Sequence, residues 1–347
     1  SDVYKRQTLQ NANFKEGNIK TNAKNSSFDY LAMQFRLWKR MGMAVGFLPF
    51  STVGYSLSNT SELTKDEDGT VINKTASYAG DGGLQQVFAG VGFKVLDNLS
   101  IGANISYIYG DITHSVTTAF SNSSSFSSVR LDKISINDYK LDFGLQYSYK
   151  FNKKHVLNFG AVYSLGHSVN GKGYKYNQKW LNGADYPSTQ TGDTITNAFS
   201  LPHTFGAGLT YVYDNRLTIG ADFTYQQWED AKFYNEKSYF SNRTKIAAGA
   251  EFVPNPYSRN YLKRVRYRVG GYYSDPYTKV DGQDGTREYG VSAGFGFPLF
   301  QSKSILNISG QYVRVSPKVK GMLEENYLKI NIGLTFNERW FMKWKVD

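Results

Sequence analysis

The chain has 347 residues, 40% of them hydrophobic, a mean hydropathy of −0.47, a formal net charge of +11 and no cysteine. No stretch approaches the roughly 18–20 consecutive apolar residues of a membrane-spanning helix, and the lack of cysteine excludes disulfides, thiol catalysis and Cys-ligated zinc. Yet 27 Tyr, 23 Phe and 5 Trp bring the aromatic share to 16%, and there are 33 Gly, the balance expected of a membrane β-barrel, where only every second residue meets lipid.

Ser1–Gln7 (SDVYKRQ) holds no apolar signal segment, so a secretion signal is expected to lie upstream. Thr8–Ile19 reads as the outer end of a first strand whose membrane part is missing. From Ser27 onward, apolar and polar residues alternate in run after run. Leu99, Ile101, Ala103, Ile105 and Tyr107 alternate with Ser100, Gly102, Asn104 and Ser106; Leu157 to Leu165, Leu217 to Tyr225 and Leu328 to Phe336 repeat the pattern. Successive side chains on a strand point to opposite faces, so each run has one greasy face and one polar face. Many runs reach 12 or more residues, longer than the soluble mode of about 5–6.

The connections fall into two classes that strictly alternate. Short ones are 39–42, 96–98, 151–155, 213–216, 254–263 and 298–304; long polar ones are 58–74, 118–128, 170–197, 230–242, 275–286 and 316–325. Short periplasmic turns and longer extracellular loops explain this, and a soluble sandwich has no reason to reproduce it. The expected fold is therefore all-β: one transmembrane antiparallel barrel of about fourteen strands across residues 1–347, in the cell outer membrane, the first strand incomplete. Pro49 and Pro202 fall inside strand patterns and predict a bulge or weak pairing there.

Candidate chemistry is sparse. The basic residues scatter over hairpin ends, which suits anionic lipid head groups and forms no nucleic-acid stripe. His114, His155, His167 and His203 sit near strand ends without an HExxH, a phosphate loop or a GxSxG, so no catalytic, metal or cofactor site is expected. His203 falls on the outward face, where an outer-membrane phospholipase carries its Ser/His pair, but no nucleophile accompanies it. Charges interleaved on the polar face (Lys140, Asp142, Asp222, Lys245, Glu251, Arg266, Arg268 and Lys329) form either a polar channel with a carboxylate site or a cross-linked interior. Leu48 and Phe50 point inward by alternation with Met43, Val45 and Phe47. With Pro49 as a strand kink they make a greasy lumen patch or portal, or a seat for a missing N-terminal segment. Phe151, Tyr211, Tyr213, Tyr272, Tyr273, Trp340, Phe341 and Trp344 read as interfacial aromatic girdles. Trp180 with Tyr174 and Tyr176 offers a lesser option, carbohydrate binding.

Gly46-Phe47-Leu48-Pro49-Phe50-Ser51-Thr52-Val53-Gly54-Tyr55 resembles a segment of the Bacteroidota branch of the FadL/OmpP1/TodX family. Gly80-Asp81-Gly82-Gly83-Leu84-Gln85-Gln86-Val87, the run Asn98–Asn104 and the ending Asn337–Lys345 resemble the same branch. The resemblance implies a fourteen-stranded barrel that takes up long-chain fatty acids or other hydrophobic compounds, with an N-terminal hatch carrying Asn-Pro-Ala and a kinked strand that opens sideways. This sequence contains no Asn-Pro-Ala, its hatch region is expected to be absent, and it ends Lys345-Val346-Asp347 without a final aromatic. On this reading Leu48, Phe50 and Phe88 contact the ligand, Arg266, Arg268 and Lys329 serve its head group, and Lys140, Asp142, Asp222, Lys245 and Glu251 form a lumen network. Membrane lipids are the expected surroundings. The other function is a non-transporting barrel that docks partners in an outer-membrane protein complex.

Overall fold

The computed structural model describes residues 2–337 apart from 17–18, 66–68, 123, 182–186, 197–198, 234–236, 238, 281, 300–303 and 318–323. Fourteen strands form the wall: β1 (Asp2–Glu16), β2 (Ile19–Trp38), β3 (Met41–Lys65), β4 (Val71–Lys94), β5 (Leu99–Phe120), β6 (Phe126–Lys150), β7 (His155–Ser164), β12 (Thr204–Tyr213), β13 (Leu217–Gln226), β14 (Arg243–Phe252), β15 (Arg266–Ser274), β18 (Thr286–Pro298), β19 (Ile305–Pro317) and β20 (Glu324–Asn337). Six shorter or peripheral strands, β8 (His167–Ser168), β9 (Gly171–Leu181), β10 (Pro187–Thr196), β11 (Ser200–Leu201), β16 (Lys279–Val280) and β17 (Gln283–Asp284), stand beyond it. Every wall neighbour is antiparallel, and β1 pairs with both β2 and β20, so the sheet closes on itself. Closure satisfies the backbone polar groups that lipid cannot.

The first strand differs from expectation. Asp2 already stands opposite Gln34 and Asn337, so Asp2–Gln7 supply the membrane part thought to be missing, and Val3 faces outward between Met33 and Phe336. Asp2, Tyr4 and Arg6 are its inward residues, and Lys5 and Gln7 on the outer face hide the alternation that marks the other strands.

Outward residues of the lower wall are exposed and greasy: Ile105, Phe143, Leu209, Phe223, Ile246, Val269, Phe295 and Leu328. Short turns share one rim, where neighbours bond in a chain: Lys94 N–H to Arg40 O, Ser148 to Asn98, Asp214 to Lys154 and Val253 to Arg216. Asp214 and Asn215 both take positive φ (51° and 53°), the left-handed pair a two-residue hairpin turn requires.

The opposite rim is built differently from expectation. Two of the long connections largely dissolve into strand, because β3 to β6 run 25, 24, 22 and 25 residues. The segment 58–74 is the top of the β3–β4 hairpin and 118–128 the top of β5–β6. Within 170–197, β9 and β10 form a hairpin that adds to the free upper edge of β6. A tall six-stranded sheet, β3-β4-β5-β6-β9-β10, thus rises from one side of the barrel. Polarity, which marked these segments as loops, here marks a sheet leaving the bilayer.

β6 has room for β9 because β7 leaves it. The β6–β7 ladder ends at Asp142↔Ser164, and the β7–β12 ladder ends at Ser164↔Thr204. Beyond that point Gly166 lies against the backbone of Pro202 and His203, so close that a Cβ on Gly166 would sit 2.4 Å from His203 N. Pro202 cannot donate to a ladder. The pair bends here and carries β8 and β11 over the lumen.

Candidate functional site

The bend delivers Val169 and Leu201 into a buried cluster with Leu84, Ile108, Ile134 and Ile136. Phe50, Ile112, Ile195, Phe199 and Phe233 pack against it. Leu84, Ile108, Ile112, Ile134 and Ile136 stand on the inner faces of β4, β5 and β6, where even-numbered positions point inward, as Gln86, Ser106, Lys140 and Asp142 also do lower down. The outer mouth of the barrel is therefore filled by hydrocarbon. Above the plug, Trp228, Phe233, Phe240 and Tyr277 meet in edge and tilted ring contacts, and Arg243 lies 5.5 Å from the centre of the Tyr277 ring. Gly110, at φ +143°, allows the close approach of β4 and β5: a Cβ there would sit 2.3 Å from Gly83 O.

The lumen below is polar and tied together. Lys140 pairs with Asp142, which also accepts from Ser164 Oγ. Glu251 accepts from Arg266 Nη1 at 2.9 Å and from Arg268 Nε at 2.6 Å, and Arg268 donates on to Asn307. Lys245 Nζ lies 4.8 Å from the Tyr272 ring centre, Tyr272 hydroxyl donates to Glu288, and Lys329 lies 5.4 Å from the Tyr327 ring centre. Asp222 faces inward over Gly208, and no salt bridge among the described residues includes it. Tyr272 thus leaves the girdle expected for it and faces the lumen. Trp340, Phe341 and Trp344 lie outside the described residues.

The candidate ligand residues are not gathered in one place. Leu48, Phe50 and Phe88 belong to β3 and β4, whereas Arg266 and Arg268 stand on β15 beside the short-turn rim, and Lys329 on β20. No described hydrogen bond or ion pair links the two sets. Leu48 pairs with Gln86, whose side chain donates to Ser106, so it is inward; the Phe88 ring lies across Gly46. Phe50 is the extra residue of a bulge: Pro49 faces Gln85 and Ser51 faces Leu84.

Beside that bulge the wall parts. β2 and β3 pair only from Trp38↔Met41 to Leu31↔Phe47. Above, Ile19–Tyr30 stays with β1 and Leu48–Lys65 stays with β4, and no described pairing joins them. Both strands are deflected at this level: β3 by the Pro49 bulge, β2 by a register shift around Asp29, whose carboxylate is held by Arg6 (2.9 Å) and Thr8. Just below the parting, a concavity of about 910 Å³ opens across β20 and β1 to β6. Its lining is almost wholly apolar and mostly outward-facing, including Val3, Leu31, Met33, Val45, Phe47, Val87, Ile105 and Phe336, with Gly46 and Phe88 at the wall itself.

Each histidine is engaged by a tyrosine: His114 Nδ1 with Tyr55 hydroxyl (2.9 Å), His155 with Tyr211 (2.6 Å), His203 with Tyr163 (2.8 Å), and His167 stacked on Tyr139. Among the described residues, no group of three acidic or histidine side chains is placed to hold a metal.

Comparison with known proteins fits this architecture. A family model described as BamG matches residues 5–347. The chain belongs to the BamG family. No curated protein matches it. The BamG chain shares its fold with FadL-type outer-membrane barrels, at low identity. The CymD monoaromatic hydrocarbon channel matches at a TM-score of 0.63 and 11% identity, covering 98% of this chain and 89% of its own. The Ralstonia pickettii toluene transporter TbuX matches at 0.61 and 13%, covering 97% and 90%. A Pseudomonas aeruginosa FadL homologue matches at 0.60 and 14%, covering 96% and 89%.

The sequence pointed to weak pairing and a portal at Pro49, where the seam parts, but it did not reveal the plug. A signal was present: along β4 to β6 the apolar residues occupy odd positions low in the strand (Val87, Val91; Ile101, Ile105; Phe143, Leu145) and even ones higher up (Leu84; Ile108, Ile112; Ile134, Ile136). That change of phase marks where hydrocarbon moves from the outside of the wall to the inside.

Proposed function

We propose that this BamG-family barrel lies in the outer membrane and conducts hydrophobic or amphipathic small molecules, long-chain fatty acids among them, between the outer mouth and the bilayer. The observation that carries the reading is the parted β2/β3 seam at Pro49, flanked inside by Leu48, Phe50 and Phe88 and outside by the apolar concavity. An acyl chain leaving sideways there would pass from one apolar surface to another without entering water, at about 0.8 kcal/mol for each methylene kept buried. Arg266, Arg268 and Lys329 are assigned the lumen's positive potential. Two arginines share one glutamate, so Glu251 leaves a net positive charge facing the interior. The structural neighbours named for hydrocarbons and toluene support the substrate class by analogy of fold. Liposomes carrying the protein should take up a labelled fatty acid faster than empty ones, and Arg266→Ala/Arg268→Ala should slow uptake. Uptake equal to that of empty liposomes sinks the reading.

A second reading is favoured by two other observations. The mouth is filled by Val169, Leu201, Phe199 and Phe233, and most lumen charges are engaged internally. The barrel would then be a docking subunit of an outer-membrane protein complex, seating a partner on its concave apolar wall. Recovery of a stoichiometric partner in mild detergent, with no fatty-acid uptake, would select this reading over the first.

A further inference from the structure

The seam leaves β3 with a free edge above the membrane. From Leu48 to Lys65 this strand pairs only with β4, and no described backbone bond reaches its other side. Such edges recruit strands unless blunted by proline, charge or irregularity. Blunting is present at both ends here. The Pro49 bulge closes the lower end, and a second register shift between Glu62 and Thr64, with Glu62 and Lys65, closes the upper one. Between them Ser51–Ser61 (STVGYSLSNTS) has no proline, no charge and no shift. Two other free edges among the described residues carry charge: β2 has Lys24 and Asp29 along its upper half, and β10 holds Asp193.

The window also has a pattern. Ser51 pairs with Leu84, so the inner face continues through Val53, Tyr55 and Leu57, while Thr52, Gly54, Ser56 and Ser58 form the outer face. Tyr55 and Leu57 are 42% and 51% exposed although they adjoin the buried cluster's sheet. At the lower end Ser51 Oγ is buried with no hydrogen-bond partner. An apolar stripe, a row of unpaired backbone groups and an orphaned hydroxyl therefore lie along one uncovered border.

The geometry points to Ser51–Ser61 of β3 as a docking edge for an extended β-strand of another protein, captured by backbone pairing. The strand it fits is uncharged and alternates apolar with Ser or Thr, since side chains directly across a ladder share a face and stabilise one another. The chain's own β2 is not the occupant, because Asp29 and Pro49 steer the two strands apart at the same level. The assignment is independent of small-molecule passage.

The test is residue-resolved deuterium exchange of the full chain in detergent, with a synthetic eleven-residue peptide of alternating Val, Tyr or Leu with Ser or Thr. A second peptide has the same side chains but is N-methylated at alternate residues. Alone, those amides of 51–61 that do not bond β4 should exchange fast. The first peptide should slow them about tenfold or more, and the N-methylated one should not. Four outcomes overturn the proposal: an edge already protected throughout in the monomer, no slowing by the first peptide, equal slowing by both peptides, or protection that vanishes on dilution because a second copy occupies the edge.

Discussion

The two sides of this barrel solve the problem of an interior in opposite ways. On the side of β12 to β15, strands of 10, 10, 10 and 9 residues barely exceed the bilayer, and their inward positions are cross-linked by Glu251, Arg266, Arg268, Lys245 and Tyr272. On the side of β3 to β6, strands more than twice as long carry Leu84, Ile108, Ile134 and Ile136 inward and pack them under a folded-over hairpin. The first side is charged and cross-linked at the short-turn rim. The second is apolar, extends outward, and is bordered by the parting of β3 from β2. Chain length beyond the membrane is what permits the second solution: only strands that leave lipid can place hydrocarbon on their inner face.

Removing a plug residue should cost the most. Ile108, 2% exposed at the centre of the apolar cluster, should destabilise the fold by about 2–4 kcal/mol when changed to Ala, read as a lower urea midpoint in detergent. Stability matching the unmodified barrel would show the mouth to be loosely filled, and the contrast between the sides would collapse. Glu251→Gln leaves Arg266 and Arg268 without their anion. Because these side chains are 24–41% exposed, the loss should be about 1–2 kcal/mol, below the range for a fully buried pair. Asn307→Ala added to it should give less than the sum of the single effects, because Asn307 bonds Arg268 and the two share one network. Pro49→Ala restores a donor at the bulge. It should extend the β2/β3 ladder and slow fatty-acid uptake several-fold with little change in stability, whereas unchanged uptake would detach passage from the seam.

The smallest effect concerns the tall sheet. Burial holds His114 below its ordinary pKa, partly opposed by nearby Asp132. A histidine depressed in the folded state is more readily protonated when unfolded, so its contribution is intact above an unfolded value of about 6.5 and lost as pH falls below it. Tyr55→Phe removes the hydroxyl bonded to His114 and should cost about 0.5–1 kcal/mol. Its NMR titration midpoint in the unmodified chain should lie below that of free histidine; a midpoint at or above it refutes the assignment.

Much of the wall was legible because lipid and lumen impose a strict alternation of period two. The barrel class, the strand number, the short-turn rim and the inward direction of Leu48 all follow from it. What failed to appear were features at which the alternation changes meaning without stopping. β4 to β6 continue as strands past the membrane while their greasy face changes sides, so 58–74 and 118–128 look like loops. Asp2–Gln7 reads as polar because its lipid-facing residues include Lys5 and Gln7. The plug residues Val169, Phe199 and Leu201 come from segments with no periodicity at all, and only the bend at Gly166 and Pro202 brings them to the lumen. The cations Arg266, Arg268 and Lys329 share a facing direction along the sequence, but a closed ring separates strands that share a face.

Ring closure has one more consequence, for the order of events in folding. Thirteen of the wall's fourteen pairings join strands that follow one another along the wall, and the fourteenth joins β1 to β20. Hairpins can therefore form locally and early, each paying a small loop-closure cost. The last ladder must bring together groups as far apart in sequence as Thr8 and Asn331, whose side chains meet in a buried hydrogen bond. Until then the molecule is an open curved sheet with two bare borders, so capture of β20 by β1 is the step that closes the wall.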